Sequence, residues 1–99
     1  MMYYAIIAED RPGSLVDRLA ARAAHLQRLE ALRENGRLLI AGPHPAIDAV
    51  DPGNEGFSGS LVVAEFASLQ DAEKWATDDP YQHANVYARV TVKPFKRVF

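Results

Sequence analysis

Apolar residues recur along this chain at two spacings, every second position in some blocks and every third or fourth in others. Tyr3 to Ala8 is short, aromatic and β-branched, and the polar cluster Glu9-Asp10-Arg11-Pro12-Gly13 closes it, which predicts a strand and a turn. Ser14 and Asp17 have capping-box spacing, and Leu15, Leu19, Ala23, Leu26 and Leu29 then repeat at helical spacing until Asn35-Gly36, a natural helix stop. Arg37 to Ala41 predicts a second strand that ends at Gly42-Pro43. His44 to Ser58, with Pro45, Pro52, Gly53, Asn54 and Gly56, reads as a long loop of a kind that is commonly functional or mobile. Gly59 to Phe66 restores strand character. Ser68 and Asp71 repeat the capping-box spacing ahead of the apolar stripe Leu69, Ala72, Trp75 and Ala76, which predicts a shorter helix ended before Pro80. Finally Val86, Ala88, Val90 and Val92 alternate with Tyr87, Arg89, Thr91 and Lys93, the period of a half-buried strand.

The order is therefore β-α-β-β-α-β. Two helices that each need an apolar sheet face predict an α+β, ferredoxin-like fold: an antiparallel sheet covered by helices on one side. The other face would keep apolar strand residues, and the expectation is a homodimer or higher homo-oligomer that pairs sheet to sheet. With 99 residues, residues 1–99 make one domain with room for one core. Eleven Lys and Arg against 13 Asp and Glu give a formal charge of −2, without the basic footprint of a general nucleic-acid binder. No cysteine is present, which excludes disulfides, a thiolate nucleophile and Cys-ligated metals. No apolar run approaches the roughly 18 residues of a membrane span, and Met1 leads straight into strand residues; the expectation is a cytoplasmic protein with no membrane partner.

Three features could carry chemistry. His25 falls on the edge of the first helix's apolar stripe beside Arg18 and Arg22, partly covered, where an imidazole can shuttle protons; a structural histidine bonded at a helix boundary is the competing account. Asp78-Asp79-Pro80-Tyr81 follows the second helix. Such a sequence is an ordinary helix end, but with both helices on one side of the sheet Asp79 could reach His25 and orient it. Arg18, Arg22, Arg28, Arg33 and Arg37 spread around the first helix and just past its end, and read as a solvated face, with Arg22 alone placed to hold an anionic group. His44 and His83 with Asp48 and Asp51 lack metal-ligand spacing. Gly53-Asn54-Glu55-Gly56 lacks both phosphate-loop and dinucleotide patterns, and Ser60 lacks a nucleophile elbow. No metal or other cofactor is expected.

Taken together, Met2-Tyr3-Tyr4-Ala5-Ile6, Arg22-Ala23-Ala24-His25-Leu26, Gly36 to Pro43, Gly56-Phe57-Ser58-Gly59-Ser60, Asp78 to Tyr81 and Val92-Lys93-Pro94-Phe95 resemble the YciI-like (YCII-related domain) family over essentially the whole chain. The resemblance implies a ferredoxin-like fold whose sheets pack into a dimeric α+β barrel. It also implies a histidine and aspartate active-site pair at His25 and Asp79, and in one branch the dehydrochlorination of a chlorinated hydroxyquinol-type ring. On this basis the expected function is proton transfer on a small organic molecule by a lyase, isomerase or dehydrochlorinase, with Arg22, Gly42, Pro43, Ser60 and Tyr81 around the ligand. The alternative is a binding or structural domain without turnover.

Overall fold

The computed structural model describes all residues from Met1 to Phe99. The chain forms β1 (Met2–Asp10), α1 (Leu15–Glu34), β2 (Leu38–Pro45), β3 (Phe57–Phe66), α2 (Leu69–Thr77), α3 (Pro80–His83) and β4 (Tyr87–Phe95), with a single 3-10 turn at Gly53–Glu55. The strands lie in the order β2-β3-β1-β4 and every neighbouring pair is antiparallel. Each helical connection therefore steps over one strand, α1 over β3 and the α2–α3 pair over β1, which is the ferredoxin-like arrangement. The additional element is α3, one turn placed before β4.

Period-2 alternation sorts β1 cleanly: Tyr4, Ile6 and Ala8 are buried while Ile7 is exposed. Their partners Ala64, Val62 and Ser60 on β3 share the helix-covered face. Leu29 and Leu32 of α1, Ala72 and Ala76 of α2, and Phe66 complete the main core over one end of that face. Gly59 is obligatory at the other end, because a Cβ there would lie 2.0 Å from the carbonyl oxygen of Ala8.

The structure corrects several local expectations. Strand β2 runs through Gly42-Pro43 to Pro45, since an edge strand tolerates proline's missing N–H; the irregular connection shrinks to residues 46–56. The buried side of α1 is Arg18, His25, Leu29 and Leu32, with Ala21 half-buried, whereas Leu19 and Leu26 are 57% and 40% exposed. The helix is thus turned by about one residue, or roughly 100°, from the leucine stripe. Ser14 makes no side-chain cap bond, while Ser68 Oγ accepts from the Asp71 amide at 3.1 Å. In β4 a register shift opposite Glu9 and Asp10 leaves Ala88 exposed between buried Tyr87 and half-buried Val90, so the simple alternation fails at a bulge.

The arginines divide as well. Arg22 and Arg33 are exposed, but Arg18 is only 4% exposed. Arg28 donates to the Trp75 carbonyl at 2.9 Å and stacks on its ring, and Arg37 donates to the Glu65 carbonyl and covers Phe66. No helix is long and apolar enough to cross a membrane.

Candidate functional site

Asp79 owes its position to the two short elements around it. Asp78 caps the end of α2, and Pro80, at the first position of α3, holds Asp79 in extended backbone, as a residue before proline requires. The Asp79 carboxylate then caps α3, with Oδ1 accepting from the Tyr81 amide at 2.8 Å. Both readings of Asp-Asp-Pro therefore hold at once: one aspartate ends a helix and the other aims its carboxylate at α1.

That carboxylate meets His25, whose Nδ1 lies 2.9 Å from each Asp79 oxygen. An ionised carboxylate only accepts, so Nδ1 carries the proton and the neutral ring keeps its lone pair on Nε2. His25 is 5% exposed and Asp79 3%, so the imidazole is more deeply covered than its place at the stripe edge suggests. Arg28 adds a positive charge 3.9 Å from Asp79 Oδ2; burial lowers the Arg28 pKa, and Asp79 and Asp78 oppose that shift.

Tyr81 is stacked on the imidazole, with ring centroids 4.1 Å apart and planes 19° from parallel. The Arg18 guanidinium lies over the Tyr81 ring as well, 4.6 Å from its centroid. Arg18 and His25 are seven residues apart, two turns along one helix face, and the small side chain of Ala21 between them packs against the cluster that holds Tyr81. Arg18 is held in turn by Asp10, to whose oxygens Nη1 donates at 2.7 and 3.0 Å. Burial pushes the Asp10 carboxyl up, against the pull of Arg18. Burial also pushes the Tyr81 phenol up, with Arg18 and Arg22 opposing.

These side chains open onto a cleft of about 280 Å³ between α1, β2 and β3. His25 lines it together with all five residues expected around a ligand, Arg22, Gly42, Pro43, Ser60 and Tyr81, and Asp79 sits behind the imidazole. The Ser60 hydroxyl is hydrogen-bonded to Tyr87 Oη at 2.9 Å; burial drives the Tyr87 phenol well above the ordinary tyrosine range, and this bond only partly offsets it. No side-chain nitrogen or oxygen in the chain is both buried and without a hydrogen-bond partner. His44 and His83 are exposed on β2 and α3, and no three His, Asp or Glu side chains converge as metal ligands would.

Sequence reasoning missed Asp10 and Arg18. The signal was the spacing Arg18, Ala21, His25, which puts a small residue midway between two polar ones on the buried face. It was obscured because leucines, which occupy the neighbouring stripe, dominate the periodicity.

A family model described as the YCII-related domain matches residues 2–96. Protein YciI of Escherichia coli O6:H1 is 57% identical over 98 residues, covering 99% of this chain and all of the relative. A protein of Haemophilus influenzae described as uncharacterized is 56% identical over 98 residues, with the same coverage. Among solved structures, 5-chloro-2-hydroxyhydroquinone dehydrochlorinase (TftG) from Burkholderia phenoliruptrix AC1100, in complex with 2,5-dihydroxybenzoquinone, superimposes with a TM-score of 0.84 at 29% identity, covering 96% of this chain and 94% of that one. A protein of Agrobacterium tumefaciens shares the fold at a TM-score of 0.52 and 14% identity, with coverage of 97% and 92%.

Proposed function

The chain belongs to the YCII-related domain family, and we propose that within it the protein is an enzyme that transfers a proton on a small, oxygen-bearing organic molecule through His25 and Asp79. The observation that carries this reading is the 2.9 Å contact of His25 Nδ1 with Asp79 in a residue that also lines the cleft. With Nδ1–H committed to the carboxylate, Nε2 can take a proton from a bound molecule, and Asp79 then stabilises the imidazolium that forms. The electron pair released by that proton can expel a leaving group, as in elimination, or the proton can return at another atom, as in isomerisation. A structural neighbour that is a dehydrochlorinase supports the elimination form.

Arg22, which is exposed and lines the cleft, would meet an anionic substituent at the mouth, while Gly42 and Pro43 shape the opposite wall and Ser60 offers its hydroxyl from the floor. The uncovered sheet face, with Ile7 and Ile40 at 36% and 57% exposure, supports pairing with a second copy. Light scattering at micromolar concentration is expected to give twice the chain mass.

The test is chloride release from 5-chloro-2-hydroxyhydroquinone under anaerobic conditions by the wild type, His25→Gln and Asp79→Ala. We expect turnover by the wild type and a fall of about 10²- to 10⁴-fold in His25→Gln, the range set by one positioned acid–base group. Wild-type rates in His25→Gln would overturn the role given to the imidazole. An inert wild type that also fails to bind 2,5-dihydroxybenzoquinone would overturn the reading as a whole.

A further inference from the structure

Along the cleft, three polar atoms in otherwise buried side chains have no partner in the protein. The His25 side chain bonds only through Nδ1, that of Arg18 only through Nη1 and Nη2, and Tyr81 only through its backbone amide and carbonyl, not its hydroxyl. Because no polar side-chain atom is at once buried and unpartnered, His25 Nε2, Arg18 Nε and Tyr81 Oη all reach open space. The cleft is the space these three residues line in common. Exposures of 5% for His25, 4% for Arg18 and 2% for Tyr81 mean that little beyond these atoms is uncovered.

Two of the three are hydrogen-bond donors and one is a base. Arg18 is charged, rigidly paired with Asp10 at 2.7 Å, and stacked on the ring whose hydroxyl is the second donor. Burial holds that phenol in its neutral, donating form. Donors fixed before the ligand arrives are what a developing negative charge on oxygen needs. The guanidinium lies over the Tyr81 ring, and the base is stacked against the same ring.

We propose that Arg18 Nε–H and Tyr81 Oη–H bind the oxyanion of an enolate or phenolate, so that the site takes a planar carbonyl or phenolic molecule whose charge settles on oxygen when His25 removes its proton. The proposal rests on the cleft-binding reading above and deepens it. In the step, His25 Nε2 accepts the proton from carbon, the C–H electron pair becomes the new carbon–carbon double bond, and the carbonyl π pair moves onto the oxygen that Arg18 and Tyr81 hold. Expulsion of a leaving group with its bonding pair, or reprotonation at another carbon, completes the turnover without any co-reactant. Arg18 thereby becomes a binding residue, and Asp10 a positioning residue that acts through it.

The probe is 4-nitrophenol, whose visible absorbance distinguishes the phenolate from the phenol when it is titrated with wild type and variants. Wild type is expected to shift the bound probe toward phenolate. Tyr81→Phe keeps the stacked ring and removes a hydroxyl that no protein group uses, so folding should be retained; Arg18→Lys keeps the charge beside Asp10 and removes the Nε donor. Each is expected to weaken phenolate binding by about 10-fold or more, the scale of one hydrogen bond to a charged group. Unchanged affinity in Tyr81→Phe would overturn the proposal, whether or not Arg18→Lys folds. A loss confined to Arg22→Met would do the same by assigning the anion to the cleft mouth. In both cases the retained binding and the chloride-release assay leave the His25–Asp79 reading standing. Absence of any phenolate binding to wild type would overturn the oxyanion site while chloride release tests the pair separately.

Discussion

The helix-covered face of the sheet has two ends that are built differently. At one, nine buried residues from Tyr4 to Ala76 form an apolar core, and charge meets it only at its margin, where Arg37 covers Phe66 and Arg28 stacks on Trp75. At the other, the cluster of Ala8, Tyr81, Val86 and Tyr87 is interleaved with the buried ion pair Arg18–Asp10 and the His25–Asp79 contact. Helix α1 serves both, with Leu29 and Leu32 in the core and Arg18 and His25 in the polar end. The apolar end gains from the area it removes from water, whereas the polar end is stable only while each charge keeps its partner. A single helix can thus anchor a fold with one half and present polar side chains to a cleft with the other.

The largest expected effects test this contrast directly. Phe66, 2% exposed in the apolar core, should cost about 3–5 kcal/mol as Phe66→Ala, measured by urea denaturation. At the polar end, Arg18→Met should cost about 3 kcal/mol or more, because it strands the Asp10 carboxylate in a site where its side chain is 3% exposed. The double variant Arg18→Met with Asp10→Leu should recover most of that loss. No second substitution of a core neighbour should rescue Phe66→Ala in this way. If the double variant remains as unstable as the single, the ion pair is not what distinguishes the two ends.

The two ends were also unequally legible in the sequence. Core positions on β1, β3 and α2 follow from period-2 and period-3.6 patterns, because burial of apolar side chains is a local, repeating requirement. His25 and Asp79 stand out as residue types suited to proton transfer, and Asp79 has a proline that fixes its backbone. Arg18 and Asp10 could not be read the same way, since a charged residue looks solvated until its partner is known, and that partner lies on a different element. The phase of α1 was misread for a related reason: Leu19 and Leu26 face a cleft, and a cleft lined with leucine has the same sequence signature as a core. The bulge that exposes Ala88 depends on strand register, which no single-strand pattern contains.

A smaller effect should separate the ends at high pH. Tyr87 belongs to the polar end, where it is buried with its hydroxyl hydrogen-bonded to Ser60, and its folded-state pKa is raised by burial. In the unfolded chain a tyrosine titrates near 10.0, so above that pH the unfolded state has lost a proton that the folded state still holds. The sign follows: this contribution to stability is whole below pH 10 and is lost as pH rises through the folded value. Thermal melts from pH 8 upward should therefore show a decline that Tyr87→Phe makes shallower, while at neutral pH the same variant loses about 1 kcal/mol with the Ser60 bond. An equal slope in both proteins would mean that the phenol is solvated after all.

The finest distinction concerns how each helix begins. Ser14 starts α1 beside the polar end and Ser68 starts α2 beside the apolar core, and both carry an aspartate three residues on. Only Ser68 accepts the amide bond of its first turn, in extended backbone with φ −156° and ψ 165°; Ser14 sits at φ −93° and ψ 7° and makes no such bond. A cap needs the backbone to turn the side chain back over the amides, and the polar end instead lets the chain from Asp10 enter α1 in the geometry that brings Arg18 onto Asp10. Ser68→Ala should accordingly cost about 1 kcal/mol and Ser14→Ala less than about 0.5 kcal/mol. Equal losses would show that Ser14 caps α1 in solution, and that the entry to this helix is shaped by capping rather than by the ion pair it delivers.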